Sequence, residues 1–247
     1  MVPFGRTGLS VSRLCFGTGS HGFPARQAAL PVETLADLLV RGWEAGIRFW
    51  DTADRYGTYP HVSAALRRLP RQDVVVATKF HHPTRPEAEA ALERALAELD
   101  TPYLDIVLMH EVDSLDEWEE RQPALRVLHE AKADGRVRAV GLSTHSIDLL
   151  EFAAARPELD VLFTNLNHAH VHMDADIKHY LAALRRGAAS GQGVYVHKTL
   201  GEGALANDVP RAIQHNLSLD CVHSVCVGLC STEELDATLA AACVKLA

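Results

Sequence analysis

The sequence predicts a single domain over residues 1–247, a (β/α)8 or TIM barrel preceded by an N-terminal β-hairpin. Three observations predict it. Strand-like apolar runs alternate with helical patterns eight times, with no linker or low-complexity segment between them, and strict alternation implies a parallel sheet. A length of 247 residues is the usual size of an eight-fold barrel. Polar residues able to do chemistry stand where several apolar runs stop, at the carboxyl-end rim that such barrels use. A doubly wound open sheet is the alternative, weakened because no G-x-G-x-x-G follows the first strand.

Val2 to Arg13 holds two short alternating runs around Gly5-Arg6-Thr7-Gly8, which reads as a hairpin able to plug the bottom of a barrel. Leu14 to Gly17 is the first barrel strand. Thr34 to Ala45 places Leu35, Leu38, Leu39 and Trp43 on one helical face and stops at Gly46. Arg48 to Asp51 is the second strand, and His61 to Leu69 a short helix ended by Pro70. Val74 to Lys79 is a continuous β-branched run, as expected of a strand buried on both faces. Pro86 to Leu99 is a helix with proline at its start.

Leu104 to His110 is the fourth strand, followed by an acidic run, Asp113 to Glu120, read as a solvated loop and helix start. Ala124 to Ala133 is helical, Val137 to Ser143 a strand, and Ser146 to Ala155 a helix with serine as its N-cap. Val161 to Asn165 is a strand and Asp174 to Ala189 a helix. Gly193 to His197 is the seventh strand, with a Gly-rich loop from Leu200 to Ala206 and a helix from Pro210 to Leu217. Ser224 to Val227 is the eighth strand, and Thr232 to Ala242 the last helix, with Glu233 and Glu234 in its first turn.

A net charge of −8 argues against nucleic acid as the main partner, since phosphate backbones need clustered Lys and Arg. No uninterrupted apolar run of about 18 residues is present, so no membrane span is expected. The N-terminus lacks the basic start and apolar run of a signal peptide, and five cysteines do not suit a disulfide framework. Buried thiols in a reducing cytoplasm are the expectation.

Four polar residues fall on consecutive strand ends: Asp51 after the second strand, Tyr56 in the loop beyond it, Lys79 after the third and His110 after the fourth. Adjacent strands of a barrel bring them to one arc of the rim. A phenol, with a pKa near about 10, is a poor acid at neutral pH. An adjacent ammonium stabilises phenolate, so Lys79 is expected to lower the Tyr56 pKa, with Asp51 pairing and orienting Lys79. His110 can donate a hydrogen bond to a carbonyl oxygen that Tyr56 protonates. Side chains supply no hydride, so reduction requires a nicotinamide cofactor.

These residues resemble the aldo-keto reductases, over nearly the whole chain. The resemblance runs from Phe4 to Ser12 through Phe16-Gly17-Thr18-Gly19, Asp51 to Gly57, Ala77-Thr78-Lys79, Leu108-Met109-His110 and Val140 to Ser143, and ends at Val227 to Leu235. It implies a barrel, reduction of a small carbonyl substrate or oxidation of an alcohol, and Asp51, Tyr56, Lys79 and His110 as the catalytic tetrad. It also implies that NADP or NAD lies over Gly17, Thr18 and Gly19, beside Asp51. Ser143, Thr144 and Asn165 would then contact the carboxamide, with His197 stacked on the ring. Lys198 and Leu200 would approach the pyrophosphate, and Gly228, Cys230, Ser231 and Glu234, opening the last helix, would lie by a phosphate.

The departures concern the cofactor. Leu229, Cys230 and Ser231 stand where the family often has a basic residue, and Glu233 with Glu234 would repel a 2′-phosphate. NADH, or no nicotinamide at all, is therefore open. The alternative function is a lyase, isomerase or hydrolase using the same tetrad for proton transfer. The short loop after the seventh strand implies an open pocket, or one completed by a second copy in a homo-oligomer. A metal hydrolase on such a barrel would carry His-x-His after the first strand; Phe16-Gly17-Thr18 stands there, and no metal is assigned.

Overall fold

Period-two alternation along each strand sorts the apolar residues of this chain into two layers. The computed structural model describes residues 1–20 and 24–243. Val2–Pro3 (β1) and Ser10–Val11 (β2) form the antiparallel hairpin. Eight parallel strands follow: Leu14–Gly17 (β3), Phe49–Asp51 (β4), Val75–Phe80 (β5), Leu104–Met109 (β6), Val137–Thr144 (β7), Val161–Asn165 (β8), Gly193–His197 (β9) and Ser224–Gly228 (β10). They close in sequence order, β10 pairing with both β9 and β3. The open-sheet alternative is excluded by that closure.

The helices are Val32–Glu44 (α1), Tyr59–Leu66 (α2), Arg85–Glu98 (α3), Leu115–Glu120 (α4), Gln122–Ala133 (α5), Ile147–Ala153 (α6), Ile177–Ala189 (α7), Val209–Leu217 (α8) and Thr232–Cys243 (α9). Phe16, Trp50, Val76, Val107, Val140 and Leu162 pack outward against helix residues such as Leu35, Leu92 and Leu184. Cys15, Phe49, Ala77, Ile106, Phe163, Tyr195 and Cys226 fill the barrel, joined by Phe4, Leu9 and Val11 of the hairpin.

The hairpin is therefore a plug at the amino ends of the strands. Phe4 lies 5.7 Å from the Phe49 ring and 6.1 Å from Tyr195, edge to face. The turn behind it needs glycine: Gly5 has φ +54°, and a Cβ there would stand 2.4 Å from the Gly191 carbonyl oxygen.

Several boundaries differ from the sequence expectation. The acidic run folds as a separate helix, α4, because Ser114 caps it by accepting a hydrogen bond from the Glu117 N–H at 3.2 Å. Helix α7 starts at Ile177 rather than Asp174, because Asp176 is the cap; Asp174 instead accepts from the Tyr180 hydroxyl at 2.7 Å. Short 3-10 turns, Gly201–Gly203 and Ala206–Asp208, fold the Gly-rich loop. Four cysteines are buried, but Cys243 is exposed at the end of α9. Among the described residues, no helix is long and apolar enough to cross a membrane.

Phe4 is fully buried, so Phe4→Ala is expected to cost about 3–5 kcal/mol in urea unfolding. A loss below about 1 kcal/mol would mean that the hairpin does not plug the barrel.

Candidate active site

The strand period that builds the core also aims the polar side chains. Asp51 shares its face of β4 with Phe49, and Lys79 shares its face of β5 with Val75 and Ala77. Both therefore point inward at the carboxyl end of the barrel. Lys79 Nζ donates to Asp51 Oδ1 at 2.6 Å and to the Thr52 carbonyl at 2.7 Å. The Tyr195 hydroxyl, on the inner face of β9, donates to the other carboxylate oxygen at 2.9 Å. The pair is almost wholly out of solvent, with side-chain exposures of 1% and 4%.

Tyr56 sits above this pair. Lys79 Nζ is 4.8 Å from the centre of its ring, and the His110 ring is 5.7 Å away, edge to face. Gly19 makes room for the phenol ring: a Cβ at residue 19 would fall 2.1 Å from Tyr56 Cε2. His110 follows β6, on the face of Ile106 and Leu108. Its carbonyl accepts a hydrogen bond from Arg121, which also reaches the Glu111 carbonyl at 3.4 Å.

Burial governs the protonation states. It pushes the Asp51 carboxyl up, against the opposing effects of Lys79 and Tyr195. The expectation that Lys79 lowers the Tyr56 pKa is reversed. Burial, followed by the Asp51 carboxylate, holds the phenol well above its ordinary range. Burial, then the Lys79 ammonium and neighbouring imidazoles, hold His110 well below its ordinary value, so its ring is neutral. His197 is held low for the same first reason.

A cavity of about 650 Å³ opens over these groups and runs to the start of α9. Gly17, Gly19, Asp51, Tyr56, His110, Ser143, His197, Lys198, Leu200, Gly228 and Glu234 line it. Lys79 lies beneath, in the ion pair. His197 packs at 4.3 Å from Phe163, leaving a ring on the cavity wall.

Other expected contacts lie off this lining. Thr18 is buried and donates to the Asp51 carbonyl at 3.0 Å; it shares the outward face of Phe16. Thr144 is turned outward like Leu142 and donates to Asp113 at 3.0 Å. Asn165 is buried, its amide donating to the His172 carbonyl, with the Tyr180 hydroxyl at 3.4 Å from its oxygen. Cys230 and Ser231 turn into the start of α9. Glu234 accepts the Cys230 N–H at 2.6 Å, and Ser231 Oγ accepts the Glu234 N–H at 3.2 Å. Ser231 thus caps the first turn of α9, while Gly228, Glu233 and Glu234 face the cavity. Lys198 is likewise paired, 3.0 Å from Glu202.

Sequence reasoning missed Tyr195, Phe163, Glu111, Arg26 and Glu202. Tyr195 was legible: it lies two residues before His197, on the same strand face. Glu111 adjoins His110, but its position follows from a left-handed backbone, φ +51°, and from its N–H donating to Ser143 Oγ at 2.8 Å.

A closed parallel barrel with ionisable side chains gathered in a cavity at the strands' carboxyl ends defines an enzyme barrel. The chain belongs to the Aldo/keto reductase family, whose family profile matches residues 13–223. It is similar to Probable aldo-keto reductase 1 of Glycine max, 33% identical over 62% of this chain and 47% of that protein. It is also similar to the NADH-specific methylglyoxal reductase of Escherichia coli K12, 26% identical over 85% of this chain and 70% of that protein. The chain thus spans about half the length of the first of these relatives and about seven tenths of the second. A solved aldo-keto reductase from Bacillus halodurans superposes with a TM-score of 0.78 at 21% identity, covering 99% of this chain and 90% of that one; it supports the fold alone.

Removing either member of the buried ion pair strands the other charge. Lys79→Met and Asp51→Asn are each expected to cost about 3–5 kcal/mol in chemical unfolding, and the double variant less than the sum. Additive losses would mean that the two side chains are not coupled.

Proposed function

We propose that this chain is a nicotinamide-dependent oxidoreductase that interconverts a small carbonyl compound and its alcohol. The observation that carries it is the convergence of Tyr56, His110 and Asp51 at one end of the cavity, with Lys79 beneath, paired to Asp51. A bound nicotinamide would supply the hydride. The cavity suits the ring end of such a cofactor: Gly19 leaves backbone exposed beside Gly17, Ser143 offers a hydroxyl, and His197 offers a neutral ring.

Tyr56 keeps its proton at neutral pH, so it is the general acid for the carbonyl oxygen in reduction. His110, held neutral, donates a second hydrogen bond to that oxygen. Lys79 offsets the negative charge that the phenol oxygen takes on as its proton leaves. Asp51, fixed by Tyr195, and the Thr52 carbonyl hold the ammonium in place. Lys79 and Asp51 are positioning residues in this scheme; Tyr56 and His110 meet the substrate.

NADH suits the far end of the cavity better than NADPH. Glu233 and Glu234 line it, and Arg26 there is paired with Glu234 at 3.4 Å. The similarity to an NADH-specific reductase points the same way. One observation favours the nicotinamide-independent reading: Glu234 already takes the Cys230 N–H. Fluorescence titration with both nucleotides decides. NADH is expected to bind at least about tenfold tighter than NADPH, and Glu234→Arg to narrow that gap. Failure of both to bind would favour a lyase, isomerase or hydrolase.

Tyr56→Phe is expected to lower carbonyl reduction by about 10²–10⁴-fold while leaving NADH affinity within about twofold. Because the Tyr56 pKa is raised, its acid form persists across pH 6–9, and the reduction rate should stay level there. Alcohol oxidation needs the phenolate and should climb about tenfold per pH unit over the same range. Reduction that survives Tyr56→Phe would remove the role given to the phenol.

A further inference from the structure

The strand register brings a second set of ligands to the cavity mouth. Phe80 of β5 and Met109 of β6 are register partners, so the residues that follow them, His81 and His110, leave the barrel side by side. Their rings lie 4.5 Å apart. Glu111 adds a carboxylate oxygen 3.1 Å from His81 Nε2. One ligand atom from each of His81, His110 and Glu111 lies within 4.8 Å of the other two, the tight metal-ligating group found among the described residues.

We propose that His81, His110 and Glu111 form a site for a divalent transition-metal ion of the zinc class, and that its occupation blocks carbonyl reduction. Two imidazoles and a carboxylate suit such an ion, and three protein ligands leave a position for water. Bonds of about 2.0–2.2 Å put ligand atoms roughly 3.4 Å apart, so side-chain rotation closes the site without moving a strand. Glu111 is held for the purpose by a disfavoured backbone: its φ of +51° is fixed through Ser143 and Arg121. His81 and Glu111 keep side-chain exposures of 19% and 29%, which gives the ion a way in. The nearby Lys79 ammonium is paired with Asp51, which offsets part of its repulsion of the ion.

An ion on His110 takes up a ring nitrogen and fills the space beside Tyr56 with its own water. The carbonyl oxygen then has no room between the phenol and the imidazole. This inhibitory half rests on the role proposed above for His110; the binding half does not.

The test separates them. Zinc chloride is titrated calorimetrically into chelator-stripped protein without substrate, wild type beside His81→Ala and Glu111→Gln. One saturable site is expected in the wild type, weakened at least about tenfold in each variant; sites elsewhere give a background common to all three. Circular dichroism checks that the variants fold. Zinc is then added to NADH-dependent carbonyl reduction. Inhibition reversed by EDTA, with its midpoint moved at least about tenfold upward in the activity that each variant retains, is the expected result. Zinc affinity equal in all three proteins overturns the site. Tight zinc binding that both variants lose, but that leaves wild-type reduction unchanged, overturns the block. A chain that reduces no carbonyl at all refutes the proposed function, and calorimetry still decides the site.

Discussion

The buried contact between Lys79 and Asp51 is the constraint on which the rest of the site depends. Neither charge could stand alone at 1% and 4% exposure. Together, with the Thr52 carbonyl and the Tyr195 hydroxyl, they satisfy one another and tie β4, β5 and β9 at the cavity floor. The field above them follows. Burial and then the Asp51 carboxylate leave the phenol protonated, and burial and then the Lys79 ammonium keep His110 neutral. One acid and one neutral donor can then share a carbonyl oxygen.

The two ends of the cavity are built differently. The reacting end stands on strand termini, where ladder hydrogen bonds and the plugged core limit movement. The far end stands on loops. Lys198 and Glu202 both adopt left-handed backbone there, at φ +52° and +53°, and are paired with each other. Glu234 occupies a backbone donor at the start of α9. In the function proposed above, a nucleotide entering this end would exchange protein–protein contacts for its own.

Much of the site was legible because strand ends are legible. Apolar runs that stop in Asp51, Lys79 and His110 announce both the strand and its inward polar residue. Strand parity carried further information: Thr18 and Thr144 share the outward faces of Phe16 and Leu142, and Tyr195 shares the inward face of His197. Asn165 was not legible in this way. It ends a strand, yet its amide is drawn to the His172 carbonyl by the path of the following loop. The direction of the Tyr56 shift was illegible too, because it depends first on how deeply the folded chain buries the phenol.

By itself the sequence determined the order and type of the elements, the barrel, and which residues stand at its rim. These follow from local patterns: alternation, caps, glycines and the points where apolar runs end. Only the tertiary structure decided which rim residues touch, which protons they hold, and that His81 and Glu111 gather around His110. Distance, burial and charge balance belong to segments far apart in the chain, and no local pattern encodes them.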